Sequence, residues 1–335
     1  MKLGHFETLR PICPACRKGD IFVKEVRAGA PEDVEEGLLE CRSCQHLFPV
    51  IDGIPLLVRD LRRMVSEQVL SVLGRADLSE TTLALLGECC GPGSPFDVTR
   101  QRLSSYLSGH YEEGSVVRVL EAGLAASKAV EGPILDVGCS VGRTSLELGA
   151  RGLTVGVDLD FAMLRVARRI AREGKLSYAR RSSGLVYEER TLAFARSHAE
   201  RVDFWCADAL SLPFREGTFG LATSLNLVDV IAGPLEHLKG LRDVLRPGGA
   251  AIVASPFEWT QAVPVELWIG GHTPHGPARG SPTEVLRALV ASEHLRGLAI
   301  EAERDGLEWP VRVHDRAEMR YRVALFVLRK LPLAP

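Results

Sequence analysis

Ile134-Leu135-Asp136-Val137-Gly138-Cys139-Ser140-Val141-Gly142-Arg143 is the stretch on which the fold turns. Its first four residues, apolar except for Asp136, read as a strand buried on both faces, and a glycine-rich turn then opens a helix near Arg143. Gly138 and Gly142 allow the backbone to approach a ligand closely, and the helix start supplies free amides. Sixteen residues past Gly142, a second apolar strand, Leu153-Thr154-Val155-Gly156-Val157, ends in Asp158. A carboxylate at that point, about 20 residues beyond the first glycine, can accept both hydroxyls of a ribose. The spacing predicts a doubly wound α/β nucleotide site.

The remaining strands follow in order. Val202-Asp203-Phe204-Trp205-Cys206-Ala207 leads into Asp208, residues 219–225 form an apolar run ending at Asn226, and Leu245-Arg246-Pro247-Gly248-Gly249 turns into another apolar run. Closing strands are expected over 308–313 and 323–328. Asp-x-Gly-x-Ser-x-Gly, with an acidic residue before the first glycine, resembles motif I of the class I S-adenosylmethionine methyltransferases, and the L-x-P-G-G turn is common to them. A pyrophosphate would be repelled by Asp136, so a dinucleotide is disfavoured. The resemblance implies a Rossmann-like class I methyltransferase sheet with helices on both faces, and S-adenosyl-L-methionine as cofactor. It further implies Asp136 near the methionine amino group and Gly138, Cys139, Ser140 and Gly142 as the cradle. Asp158 would lie at the ribose, Asp208 and Ala209 at the adenine, Leu159 elsewhere in the same cofactor set, and Asn226 at the mouth of the active-site loop.

Asn226-Leu227-Val228-Asp229, Ser255-Pro256-Phe257-Glu258-Trp259-Thr260 and Trp268-Ile269-Gly270-Gly271, read together with Gly138 to Ser145, resemble the mercaptohistidine N-methyltransferase domain of ovothiol biosynthesis. Trp309-Pro310-Val311-Arg312 and Tyr321 extend the similarity. Phe257 stands where that family has a tyrosine. Methyl transfer needs a nucleophile held in line, with at most one base to relay a proton. Asp229, Glu258 and Trp259 are the catalytic candidates: the carboxylates to orient an imidazole or ammonium, and Trp259 with Trp268 to flank a flat or cationic acceptor. Loop capping by the carboxylates and core packing by the tryptophans are the competing readings. His272 and Arg143 are weaker candidates. The acceptor is expected to be a small metabolite, methylated on nitrogen or sulfur; an RNA or protein substrate is the alternative.

Eight cysteines are present, and four form a pattern: Cys13-Pro14-Ala15-Cys16 and, after 24 residues, Cys41-Arg42-Ser43-Cys44. Two C-x-x-C pairs at this separation predict one tetrahedral, structural zinc ion held by four thiolates. With the strand–turn–strand His46 to Leu57, residues 8–58 resemble the small zinc-ribbon family of the tRNA-methyltransferase activator subunit. Three units are therefore expected: a zinc ribbon over 1–58, a helical linker or lid over 59–130, and the methyltransferase domain over 131–335. In the linker, Val65 to Leu73, Leu78 to Leu86 and Val98 to Leu107 have helical spacing, with Tyr106, His110 and Tyr111 as lid candidates.

The balance of 41 basic against 43 acidic side chains excludes nucleic-acid binding by bulk charge. It conceals ten Arg/Lys between Arg165 and Arg201, against four Glu, which could guide RNA or form a solvated face. No apolar run approaches the ~18 residues of a membrane span. Polar residues interrupt the start of the chain where a signal peptide would need an apolar core. A reducing cytoplasm is the expected compartment.

Overall fold

The computed structural model describes residues 1–75, 78–128, 131–195, 197–261, 263–276 and 278–332. Arg196 of the basic segment and Val130 at the expected linker boundary lie outside them. After helix α1 (Leu3–Leu9) come β1 (Ile21–Ala30), β2 (Asp33–Cys41), β3 (Leu47–Ile51) and β4 (Ile54–Leu57), an antiparallel meander with one cysteine pair ahead of β1 and the other at the β2–β3 turn. Helices α2 (Leu61–Glu67), α3 (Val69–Leu73), α4 (Glu80–Cys90) and α5 (Pro95–Leu107) make the linker. Ser79 and Ser94 cap α4 and α5 by accepting backbone N–H bonds. A π-turn, Ser108–Glu112, and α6 (Ser115–Ala126) complete it.

The α/β domain then runs β5 (Ile134–Val137), α7 (Arg143–Leu148), β6 (Thr154–Asp158), α8 (Phe161–Glu173), the hairpin β7 (Lys175–Ser183) and β8 (Val186–Ala193), β9 (Val202–Ala207), β10 (Phe219–Leu225), α9 (Pro234–Val244), β11 (Leu245–Ser255), α10 (Pro282–Val290), β12 (Leu298–His314) and β13 (Ala317–Lys330). Strands β9-β6-β5-β10-β11 lie parallel in that order, and β13 enters antiparallel between β11 and β12. Helices flank the sheet, and β5, β9 and β10 are buried along their whole length, as strands covered on both faces must be. Asp160 caps α8, and the stripe Phe161, Leu164, Ala167 and Ile170 packs it onto the sheet.

The ribbon is continuous with this sheet. β4 pairs in parallel with β9, through Leu56 opposite Cys206 and Leu57 opposite Ala207, so the boundary at 58 falls at the end of a shared strand. Arg165 reaches Asp52 (2.6 Å), Arg168 reaches Asp33 and Glu35 (3.0 and 2.7 Å), and Arg172 reaches Glu35 (3.0 Å). These cations of the basic segment clamp the ribbon onto α8. Farther along, Arg180 pairs with Glu112 and Asp315, and Arg190 with Glu188.

The closing strands, 17 and 14 residues long, are more than twice the length expected. Register shifts after Ile300, Arg304 and Arg312 interrupt the two-residue alternation, so the sequence pattern breaks while the hairpin continues. The segment after α8 is a hairpin. No helix among the described residues is long and apolar enough to cross a membrane.

Candidate functional site

Chain order reverses between β5 and β10, which places a crevice at their carboxyl ends. Three residues of the turn that follows β5 are left-handed: Gly138 (φ 74°), Ser140 (φ 51°) and Gly142 (φ 78°). The turn is tied to β6 by N–H bonds from Gly138 and Cys139 to the Val157 carbonyl (2.8 and 3.1 Å). Cys139 is buried, so only its backbone lines the turn. The Ser140 N–H donates to one oxygen of Asp158 and the Asp160 N–H to the other, both at 2.9 Å. Each carboxylate oxygen keeps a further lone pair, and burial pushes the carboxyl up to about 6. Asp158 and Leu159 line a cavity of about 900 Å³ together with Leu227, Val230, Arg102 and Gln68.

Asp136 departs from its expected part. It is 2% exposed and its carboxylate is enclosed by three hydroxyls, those of Thr144, Ser145 and Thr223, each at 2.6 Å. Burial nevertheless pushes its carboxyl above the usual range. The side chain therefore joins β5, α7 and β10 and fixes the turn; it presents no free carboxylate to a ligand. Gly142 also serves packing, since a Cβ there would meet Ala167 and Phe204 of the core at 2.7 Å.

After β9, Asp208 is half-buried and accepts the Leu210 N–H (2.9 Å). Ala209 is half-buried beside it, its carbonyl bonded to His237, whose other ring nitrogen meets the Ser224 hydroxyl at 2.8 Å. Asn226, left-handed at φ 54°, leaves its side-chain oxygen buried and unpartnered among the described residues.

Asp229 follows one turn later, 2% exposed. One oxygen accepts the Glu258 N–H (2.9 Å), while the other has no partner among the described residues. Burial raises its carboxyl against the Glu258 N–H and the Ser255 hydroxyl, which favour the anion. Trp259 is buried and left-handed (φ 56°), stacks on Trp268 with centroids 5.5 Å apart and planes 7° from parallel, and its indole N–H has no partner among the described residues. Glu258 is exposed, and burial together with the Glu258 carboxylate pushes the Tyr321 phenol upward. Tyr106 and Asp229 act electrostatically on the same group, so the loops after β10 and β11, the end of α5 and β13 converge here.

His272 lies exposed on its loop with Nδ1 facing the Gly270 carbonyl. Arg143 is occupied by Glu147 (2.6 Å) and lies over the Phe194 ring. The sequence reading missed Gln68, which receives the Phe161 N–H (2.9 Å) and donates to the Leu159 carbonyl (2.7 Å), locking the linker to the loop after β6. Nothing in its local pattern signals this. It also missed the hydroxyls on Asp136; a Thr-Ser pair opening a buried helix was the available clue.

The four cysteine sulfurs lie within 4.8 Å of one another, with Cys13–Cys44 and Cys16–Cys41 both at 3.7 Å. Zn–S bonds of about 2.3 Å in a tetrahedron put sulfurs about 3.8 Å apart, so the set fits that ion. Backbone N–H groups of Cys16, Ser43 and Cys44 point at sulfur. Gly19 is required beside them, because a Cβ would come within 2.5 Å of the Cys41 sulfur.

Residues 135–253 match the family described as a methyltransferase domain. A relative from Mycolicibacterium smegmatis, named "Probable S-adenosylmethionine-dependent methyltransferase", is 28% identical over 125 residues, 37% of this chain and 45% of its own. The chain thus spans under half the length of the curated relative it matches. Among solved structures, an S-adenosylmethionine-dependent methyltransferase of Methanosarcina mazei is similar at TM-score 0.40 and 20% identity, over 62% of this chain and 96% of the other. A chain from the complex of the Haloferax volcanii Trm112 methyltransferase activator with a methyltransferase gives TM-score 0.43 and 14% identity, over 71% and 99%. Residues 135–253 are a methyltransferase domain.

Proposed function

We propose that the protein methylates a nitrogen atom of a small metabolite, an imidazole or amino-acid derivative, with S-adenosyl-L-methionine as donor. The single observation that carries this reading is Asp229: a residue 2% exposed, with one carboxylate oxygen unpartnered among the described residues, where the loops after β10 and β11 meet. An unsatisfied buried acceptor of this kind costs about 1–3 kcal/mol and is relieved by an N–H from a ligand. The stacked Trp259–Trp268 pair supplies a flat wall beside it, suited to an imidazole or a cation. When bound, the cofactor supplies an electrophilic methyl group on a sulfonium.

In this reading the chain's own residues bind and orient. Asp158 holds the ribose hydroxyls, Leu159 and Ala209 enclose the adenine with Asp208 at its amino group, and the turn Gly138–Gly142 gives backbone contacts. Asp229 accepts the acceptor's N–H and removes its proton, with Glu258 and Tyr321 fixing the loop around it. The resemblance to the mercaptohistidine N-methyltransferases supports an imidazole acceptor. The ion pairs of Arg165, Arg168, Arg172, Arg180 and Arg190 weigh against an RNA guide, because those charges are met within the chain. Cys13, Cys16, Cys41 and Cys44 would hold zinc as a closed structural site with no position open for chemistry.

Incubation of the full chain with methyl-labelled cofactor and separate pools of amines, imidazoles, thiols, RNA and protein tests this. Label is expected in an amine or imidazole, and Asp229→Asn should lower turnover at least tenfold while leaving S-adenosylhomocysteine affinity intact. Label confined to thiols, RNA or protein would overturn the acceptor assignment.

A further inference from the structure

The cavity beside Asp158 is larger than a nucleoside needs. At about 900 Å³ it lies near the top of the range that drug-sized ligands fill, roughly 300–1,000 Å³, and a nucleoside is smaller than most of those ligands. Asp158, Leu159, Leu227 and Val230 wall one end, to which the ribose and adenine are assigned. From there the cavity continues between α8 and β7 on one side and α3, α4 and α5 on the other. Arg102 of α5 marks the junction, since it pairs with Asp160 at 2.6 Å. Phe96 lines the far part, six residues or about 9 Å of helix before Arg102. The linker builds this outer arm.

Its lining is apolar, with cations between. Leu70, Leu83, Phe96, Leu103, Val166 and Leu176 come from α3, α4, α5, α8 and β7. Phe96, Arg100, Leu103 and Leu107 all line the cavity at the spacing of one helix face, so α5 turns that whole face inward. Leu70 lines the cavity yet is 62% exposed, which leaves open apolar surface at the rim. Of the arginines in the lining, Arg102, Arg165 and Arg169 are met by Asp160, Asp52 and Glu173. Arg100 is different. It is half-buried, its guanidinium lies 3.9 Å over the Tyr187 ring, and it has no ion-pair partner among the described residues. Gly87 of α4 makes room for it, because a Cβ there would come within 2.6 Å of the Phe96 ring and 3.1 Å of the Arg100 guanidinium. A half-buried cation without a counter-charge, beside an apolar hollow, complements an anion carried on an apolar body.

The methyl acceptor does not account for this arm. Leu227, Val230 and Ile231 of the loop after β10 line the cavity, whereas Asp229 turns its carboxylate to the Glu258 N–H in the loop after β11. We infer that the outer arm binds a second ligand, a free fatty-acid-type anion, with its chain among Leu70, Leu83, Phe96 and Leu103 and its carboxylate at Arg100. Gln68 and Leu159 line the same cavity, so this ligand sits against the loop after β6. The site goes beyond the methyl-transfer reading and uses it only to assign the inner end.

The test is calorimetry on the full chain with decanoate, hexanoate and decanol, below the micelle-forming concentration, with and without saturating S-adenosylhomocysteine. Decanoate should bind at least tenfold tighter than hexanoate, which is four methylenes shorter, and about tenfold tighter than decanol, which lacks the charge. Arg100→Met should remove the preference for decanoate over decanol, Arg100→Lys should keep most of it, and both variants should bind S-adenosylhomocysteine as the unaltered chain does. Leu83→Gln should weaken decanoate and decanol alike, and it serves if Arg100→Met melts early. No binding of decanoate, equal affinity for decanoate and decanol, survival of the preference in Arg100→Met, or displacement of decanoate by S-adenosylhomocysteine would overturn the outer site. Binding of decanoate by a chain that does not bind S-adenosylhomocysteine would instead refute the cofactor reading and leave the outer site standing.

Discussion

Gly138 and Gly142 look equivalent in the sequence, and exchanging each for alanine should show that they are not. Both are left-handed, which costs an alanine about 1–2 kcal/mol. At Gly142 the new Cβ would also lie 2.7 Å from the Ala167 Cβ and from the edge of the Phe204 ring. Both neighbours are at most 1% exposed and belong to α8 and β9, so neither can swing away. Overpacking of this kind adds about 1–3 kcal/mol, which brings Gly142→Ala to about 2–5 kcal/mol. At Gly138 the nearest atoms belong to the Leu227 side chain at 3.2–3.5 Å, and that half-buried leucine can shift. Gly138→Ala should stop at about 1–2 kcal/mol. Urea unfolding, followed by far-ultraviolet circular dichroism and tryptophan fluorescence, measures both. Equal costs within about 0.5 kcal/mol, or a larger cost at Gly138, would refute the claim that Gly142 serves core packing.

Arg168→Met removes a cation, 6% exposed, from Asp33, Glu35 and the buried Asp203, and should destabilise the chain by about 3–5 kcal/mol in thermal or urea melts; a loss below about 1 kcal/mol would show that this clamp does not hold the ribbon. Burial holds His237 at about 4, below its unfolded value of about 6.5, so the unfolded chain binds the extra proton between those values and stability falls as pH drops through that window. Relative to the unaltered chain, His237→Gln should therefore lose about 2–3 kcal/mol less between pH 7 and 4.5, and an unchanged pH slope would exclude this source. Elemental analysis of protein prepared under reducing conditions should find about one zinc per chain, and Cys16→Ser or a chelator should remove it and lower the melting temperature. Metal-free protein that melts at the same temperature would sink the zinc assignment.

The sequence by itself determined the α/β sheet, the cofactor turn and the cysteine set. Each is a local pattern: apolar runs of strand length, glycines before a helix, and C-x-x-C knuckles whose chemistry depends on neighbours a few residues away. Asp158, 18 residues from Ser140, was legible for the same reason, because one βαβ unit fixes that distance. Only the tertiary structure decided which side chains face a ligand. Asp136 reads as a binding carboxylate until Thr223, from a strand 87 residues away, closes over it together with Thr144 and Ser145. The basic run at 165–201 reads as a possible guide for RNA until Asp33, Glu35 and Asp52 of the ribbon meet three of its arginines. Likewise, the full lengths of β12 and β13 hid behind bulges that erase the period of two, and Gln68 docks on a loop more than 90 residues away. Sequence spacing encodes contacts within a turn or a βαβ unit. Contacts between distant segments depend on how the sheet is ordered and which faces its helices cover, and at those contacts this chain's charges and hydroxyls take up their roles.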